Sequence, residues 1–546
     1  MAKKRVERGL GSQMSRRSFC AATAGLVGAA SARAALGGIA LTPSGPVLDT
    51  PKIIGPIPTA EGNRPYASTL QPGSYTAELM HQFDYVEEEY FLSGHANIYG
   101  PGIKLATAVK APGPNALEVQ NIKPLASIFE PAMPYTTRLL MIRPRDNSRF
   151  SGRVHAYPFH NKAAKISAEF GLMRNGDAIL SVECCSGTRD GKMEEPSGGI
   201  AQLHMVNLSR YRDLYLSYAD PLAWPDLKPG ALAHAMATMD YSRTDVSPEV
   251  VVYTQEAYRS YAQGPDILTQ VAHALRSNNP SFPFENRVKY LFSYGASGGS
   301  TMLQAYIDYH HNVGMTSDGK PPFDGYLALV AILPENRPNN AVLAMLESEQ
   351  EAKTGFITHR VIPSDSDNPR FRFYELPSTG HLVSAPILPT GQGPAGTDMP
   401  SSALGAGSPT GGPPPGVVPY DKINMPLVWG VWENMYDWIE KGIPMPHAKP
   451  ITIDPQQPDG IARDQYGNAK GGIRTPWVEV PNASYFSRLS RNDPLRAGMR
   501  PFDEAQMTKL YGSRKRYVQL VNQHIDQLIR DRWIRSEDAP LMRLKS

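Results

Sequence analysis

Apolar residues in this chain fall into short continuous runs separated by stretches spaced for helices. Residues 288–294, VKYLFSY, are mostly apolar and aromatic without alternation, the pattern of a central strand covered on both faces. Met302, Leu303, Tyr306 and Ile307 then recur at helical spacing. Further strands are predicted at 85–93, 137–143, 153–157, 178–185, 326–333, 341–346 and 371–376, with 105–110 between the first two. Ile267, Leu268, Val271 and Leu275 make a helical stripe, and a Trp-rich helix over 427–441 is stopped by Gly442 and Pro444. A last helix over 517–530 carries Val521, Ile525 and Leu528 at core spacing. Strands alternating with helices, the strands apolar on both faces, predict an α/β fold with a mostly parallel central sheet flanked by helices.

Between the strand at 288–294 and the helix after it lies Gly295-Ala296-Ser297-Gly298-Gly299, a G-x-S-x-G pattern. Small neighbours let strand and helix approach closely enough to project Ser297 above the sheet, at a helix N-terminus with free N–H groups. A serine is a poor nucleophile until an imidazole takes its proton, and the resulting imidazolium needs a carboxylate at its other nitrogen. Downstream, the strand at 341–346 runs into Glu347-Ser348-Glu349-Gln350-Glu351, and the strand at 371–376 runs into Pro377-Ser378-Thr379-Gly380-His381. Serine, acid and histidine therefore follow in order, each at the carboxyl end of a predicted strand. Glu349 is the first choice of acid, Glu351 the second, with Glu347 and Glu335 as further alternatives. The Gly298 backbone N–H and one from residues 159–161, centred on His160, are the candidate oxyanion donors.

Composition narrows the partners. The 546 residues carry a net charge of +3 with no long basic run, which argues against nucleic acid. There is no C-x-x-C or H-E-x-x-H, so no metal or other cofactor is expected; His310-His311 is read as a helix cap. Adjacent Cys184 and Cys185 are expected to be buried small residues at a strand end, with a vicinal disulfide as the minor alternative. Glu87, Glu88 and Glu89 alternate faces on a strand, so a solvated edge is expected there.

The N-terminus combines Lys3, Lys4, Arg5 and Arg8 with Ser15-Arg16-Arg17-Ser18-Phe19, a mild apolar run and Ala32-Arg33-Ala34. This reads as a twin-arginine export signal with a small-x-small cleavage site over 1–34, engaging the twin-arginine machinery and leaving a periplasmic or secreted protein without a membrane span. Cys20 directly follows Phe19 and precedes the apolar run, which excludes a lipoprotein signal. Residues 35–135 are expected to form an N-terminal extension with first strands packed on the sheet, and 136–546 the catalytic domain. Within the latter, 186–247 is a candidate cap, 387–416 a Pro/Gly-rich loop, and 447–546 a C-terminal segment and helix.

Several stretches together resemble a known family, the exported α/β-hydrolase-domain proteins of bacteria and fungi. They are Tyr85-Val86-Glu87-Glu88-Glu89-Tyr90-Phe91 with Ser93-Gly94; Tyr294 through Gly299; Ser348-Glu349; Tyr374-Glu375-Leu376 with Gly380-His381; Gly467-Asn468-Ala469-Lys470-Gly471-Gly472-Ile473-Arg474; and Leu510-Tyr511-Gly512. The resemblance implies a serine hydrolase fold whose nucleophile, acid and base match Ser297, Glu349 and His381. Where the family's approach to the histidine tends to be Gly-Thr-Ala-His-like, this chain has Pro377-Ser378-Thr379-Gly380-His381, and Ser348-Glu349-Gln350-Glu351 leaves two acids in register. The Gly467–Arg474 stretch is read as a structural glycine turn. Hydrolysis of a small-molecule carboxylic ester is the leading expectation. An amidase or lactam hydrolase using the same residues is the alternative, and a non-catalytic periplasmic binding protein a third reading of another class.

Overall fold

The computed structural model describes residues 45–60, 63–66, 75–100, 109–110, 118–119, 125–158, 169–186, 199–217, 261–296, 298–330, 334, 336–354, 369–381, 413–457, 459–490 and 496–545. The chain divides into two units, 1–45 and 46–546, and every described strand and helix belongs to the second.

Nine strands form one sheet: β1 (Lys52–Ile54), β2 (Tyr85–Gly100), β3 (Ser127–Pro144), β4 (Arg153–Pro158), β5 (Ala178–Val182), β6 (Tyr290–Ala296), β7 (Gly325–Leu329), β8 (Val342–Ser348) and β9 (Phe371–Leu376). Their spatial order is β1-β2-β3-β5-β4-β6-β7-β8-β9. β1, β2 and β3 pair antiparallel, and β3 meets β5 antiparallel. From β5 to β9 every pairing is parallel. The chain passes from β4 outward to β5 and returns to lay β6 on the other side of β4. The order thus reverses between β4 and β6, where open α/β sheets keep their ligand crevice, at the strands' carboxyl ends.

The continuous apolar runs mark strands buried on both faces: every residue of β7, β8 and β9 is buried. Along β8, Leu343 and Met345 enter one apolar core while Val342, Ala344 and Leu346 enter the other. Helices α3 (Gly264–Arg276) and α4 (Gly298–Ala305) cover the first face, and α6 (Met425–Lys441) and α7 (Arg514–Arg530) the second. Two short helices, α1 (Gly199–Val206) and α2 (Leu208–Tyr211), follow β5, and α5 (Glu349–Thr354) follows β8 directly. α6 ends where Gly442 takes φ +70°, a left-handed conformation that glycine adopts without a Cβ penalty.

β3 spans the position 135/136 and pairs antiparallel with β2, which precedes it. One expectation changes here. The three glutamates do not form a solvated edge: Glu89 is buried and Glu87 and Glu88 are half-buried. Glu89 is buried and accepts from Arg210 Nε at 2.7 Å and Tyr211 Oη at 3.0 Å, with Arg138 Nη1 at 3.5 Å. Glu88 takes Arg143 in a two-pronged pair at 2.8 and 3.0 Å. The alternation argument placed them on opposite faces correctly; burial of one face supplied partners that the sequence pattern does not reveal. Residues 199–217 of the candidate cap pack on the sheet: Ile200 N–H donates to Cys185 O at 3.0 Å and Tyr215 bridges Thr136. Residues 187–198, 218–247 and 387–412 lie outside the described residues.

Cys184 and Cys185 are buried free thiols, and burial pushes the Cys184 thiol well up. His311 stands at the C-cap of the helical turn Tyr306–His310, as expected, its backbone N–H donating to Tyr306 O, and both imidazoles are buried in the core. His310 Nε2 donates to Leu125 O at 2.8 Å, while His311 lies between Tyr326 Oη and Asn340 Oδ1, both at 2.7 Å. Among the described residues no helix is long and apolar enough to cross a membrane.

Asp266, at the start of α3, is fully buried and accepts from the N–H groups of Asn97 (2.8 Å) and Val47 (3.1 Å) and from Tyr99 Oη (2.7 Å). Burial pushes its carboxyl from 3.8 up to about 6, the hydrogen bonds pulling the other way. The folded state therefore binds this proton more tightly than the unfolded chain. The associated stability is complete below about pH 4 and lost as pH rises through about 6. In Asp266→Asn that loss is absent, so the variant should gain on the wild type by roughly 2 kcal/mol between about pH 4 and pH 7. Paired urea titrations at the two pH values measure the difference.

Candidate active site

Two of the positions that the sequence singles out, the glutamates at the end of β8 and His381 after β9, sit at strand ends on the carboxyl side of the parallel sheet. β6 ends at Ala296 and α4 begins at Gly298, so a strand and a helix flank the candidate serine. Ser297 itself lies outside the described residues, as do His160 and Glu335. Gly298 is the first residue of α4.

β8 ends at Ser348, and α5 starts at the next residue. Ser348 Oγ accepts the Gln350 N–H at 3.0 Å and donates to Glu351 Oε2. This resembles a capping box, S-x-x-E, in which the third residue of the helix turns back toward the cap. The turn-back leaves Glu351 Oε1 facing the next strand's loop, where it meets His381 Nδ1 at 2.6 Å. Gln350 also reaches that loop, its Oε1 accepting the His381 backbone N–H at 3.1 Å. The Glu351 side chain is 6 % exposed and that of His381 19 %, so the pair is largely shielded on one side and open on the other. A carboxylate at this distance fixes the ring as the Nδ1–H tautomer and leaves Nε2 as the nitrogen able to accept a proton.

Glu349, the first choice from the sequence, does not meet His381. It is fully buried; Oε2 accepts the Ser378 N–H at 2.7 Å, and Oε1 takes Arg463 Nη2 at 2.8 Å. Glu347 is buried within β8, in register with Glu375 of β9. Glu349 and Glu351 differ because α5 starts immediately after Ser348: two positions along a helix turn the side chain through about 200°. The sequence spacing put both acids near the histidine, and only the helix phase separates them. The signal that could have distinguished them is S-x-x-E itself, which marks Glu351 as the capping-box position.

The turn carrying His381 is held from several directions. Ser378 takes φ +63°, left-handed for a residue with a Cβ. Thr379 Oγ1 donates to Leu376 O at 2.6 Å. Ile473 N–H donates to Glu375 O at 2.8 Å, and Ile451 N–H to Glu375 Oε2 at 2.7 Å. The Gly467–Arg474 stretch, read from the sequence as a structural glycine turn, thus lies against the end of β9. Its Arg463 neighbour holds Glu349 and also bonds Asp459.

With this geometry in hand, the chain matches the alpha/beta hydrolase domain family over residues 53–543 and belongs to it. The fold is that of the α/β hydrolases. Among solved structures, a putative dienelactone hydrolase from Klebsiella pneumoniae subsp. pneumoniae is 10% identical, with a TM-score of 0.23 over 45% of this chain and 81% of that one. A member of the a/b serine hydrolases without a lid, from Xanthomonas campestris, is 8% identical, with a TM-score of 0.22 over 52% and 88%. A bacterial esterase is 8% identical, with a TM-score of 0.24 over 53% and 85%. Likeness this distant does not bear on the chemistry. A search of curated proteins finds no match.

Gly472 takes φ +69°, and a Cβ there would stand 2.7 Å from Glu375 O and 2.9 Å from Pro377 Cδ. Both are the backbone or ring of the turn that carries His381. Gly472→Ala should therefore lower stability by about 1–3 kcal/mol, measured as a drop in the denaturation midpoint at unchanged slope.

Proposed function

We propose that this protein is an exported serine hydrolase that cleaves small-molecule carboxylic esters through an acyl-enzyme, with Ser297 as nucleophile, His381 as general base and Glu351 as the acid that orients it. The reading rests above all on the 2.6 Å contact between His381 Nδ1 and Glu351 Oε1 at the ends of adjacent parallel strands. The G-x-S-x-G sequence between a strand and a helix supports it, as does membership of the hydrolase family. His381 Nε2 takes the Ser297 hydroxyl proton as Oγ bonds to the ester carbonyl carbon. The carbonyl oxygen becomes an oxyanion, for which the Gly298 N–H and a group near His160 are the donors proposed. As the intermediate collapses, the carbon–alkoxy bond breaks and His381 returns the proton to the departing alcohol. Water activated by the same imidazole then attacks the acyl carbon and releases the acid and free Ser297. Glu351 keeps the imidazolium oriented and lowers its energy while it exists. Export by the twin-arginine route is proposed on Ser15-Arg16-Arg17-Ser18-Phe19 and the apolar run behind it.

The intact mass of the purified protein after treatment with a fluorophosphonate should rise by one adduct, and Ser297→Ala should show none. On an ester substrate Glu351→Gln should lower kcat by about 10²–10⁴-fold. Unmodified wild-type protein, or full turnover in Ser297→Ala, would sink the assignment.

A further inference from the structure

The glycine-rich C-terminal stretch and the buried Glu349 have no part in the steps above, yet both touch the turn that carries the base. Glu349 Oε2 holds the N–H of Ser378, three residues before His381. A carboxylate with no exposed surface requires compensation, and it comes from Arg463, whose Nη2 stands 2.8 Å from Oε1. Arg463 is in turn fixed within its own loop: it bridges Ala469, its Nη1 donates to Gly467 O at 3.3 Å, and Nη2 bonds Asp459. On the other side of the turn, Gly472 is close enough to Glu375 O and Pro377 to exclude a side chain, and Ile473 N–H is bonded to Glu375 O. Ser378 sits at φ +63°, a strained conformation for a residue with a Cβ, which persists when surrounding contacts over-determine it.

We propose that Glu349 and Arg463 are positioning residues for His381: the C-terminal loop, through Arg463, holds Glu349 on the Ser378 N–H and so keeps the His381 ring in register with Glu351. This rests on the reading of His381 as general base. It gives the Gly467–Arg474 stretch a task, since the loop's glycines let Arg463 and Ile473 reach the two sides of one turn. Glu349 acts through the backbone, so its influence falls on the geometry of the base and leaves substrate contacts alone.

The test uses the full-length mature chain and the variants Arg463→Ala, Arg463→Lys and Glu349→Gln, all assayed well below their melting temperatures. On an ester substrate, Arg463→Ala should lower kcat about 10–100-fold with KM unchanged, because a displacement of about 1 Å costs that much in a catalytic group. Arg463→Lys, or millimolar guanidinium added to Arg463→Ala, should recover part of the loss. A contribution to folding alone would produce neither the kcat-only effect nor the rescue. Glu349→Gln keeps an acceptor for Ser378 but loses the charge pair, and should fall between wild type and Arg463→Ala even if the latter folds poorly.

A second readout needs no turnover. The short His381–Glu351 hydrogen bond should give a far-downfield proton resonance, absent from Glu351→Gln and broadened or lost in Arg463→Ala. Wild-type kcat together with an intact resonance in both Arg463→Ala and Glu349→Gln would overturn the proposal. Absence of any fluorophosphonate adduct on wild type would remove the hydrolase reading, while the resonance would still decide whether Arg463 holds the ring.

Discussion

A fully buried carboxylate must be compensated, and at Glu349 that requirement joins three parts of the chain far apart in sequence. The first turn of α5 supplies the acid, the turn after β9 supplies the Ser378 N–H, and the C-terminal loop supplies the Arg463 guanidinium. Removing Arg463 would take the counter-charge from a fully buried carboxylate, which costs more than the pair's net contribution to stability. The same logic operates at the other end of the sheet. Glu89 on β2 gathers Arg138, Arg210 and Tyr211, tying the helices after β5 to the antiparallel strands.

The candidate site uses the sheet in a way its topology explains. Parallel strands bring successive connections to one edge, so residues following β6, β8 and β9 come to the same side of the sheet although they are separated by tens of residues. On that edge a six-residue helix begins without any linker after β8 and sets the phase of two glutamates. One is turned inward to support a backbone turn, and the other is turned toward an imidazole. Identical side chains two residues apart thus take different tasks, one structural through Ser378 and one in contact with His381.

Much of this was legible in the chain itself. Periodicity located eight of the large sheet's nine strands, because a strand covered on both faces tends to be apolar throughout, and β1 is too short at three residues to show a period. The order of serine, acid and histidine followed from the same runs. What periodicity could not supply was partnership. Glu87–Glu89 looked solvated because an alternation pattern says which face a residue occupies but not whether that face is covered, and the cap position of His311 likewise says nothing of the core partners its ring finds.

The amino-acid sequence by itself determined the α/β class, the strand ends that carry candidate chemistry, and the imidazole at His381, since these depend on local hydrophobic pattern and residue type. Only the tertiary structure decided which glutamate meets that imidazole and that the Gly467–Arg474 stretch lies against the end of β9. Those outcomes depend on a helix's starting phase to within one residue, and on a contact between Arg463 and Glu349 across 114 positions of sequence. Neither leaves a trace in composition or period, because each is fixed by the need to satisfy buried charge after the strands have assembled.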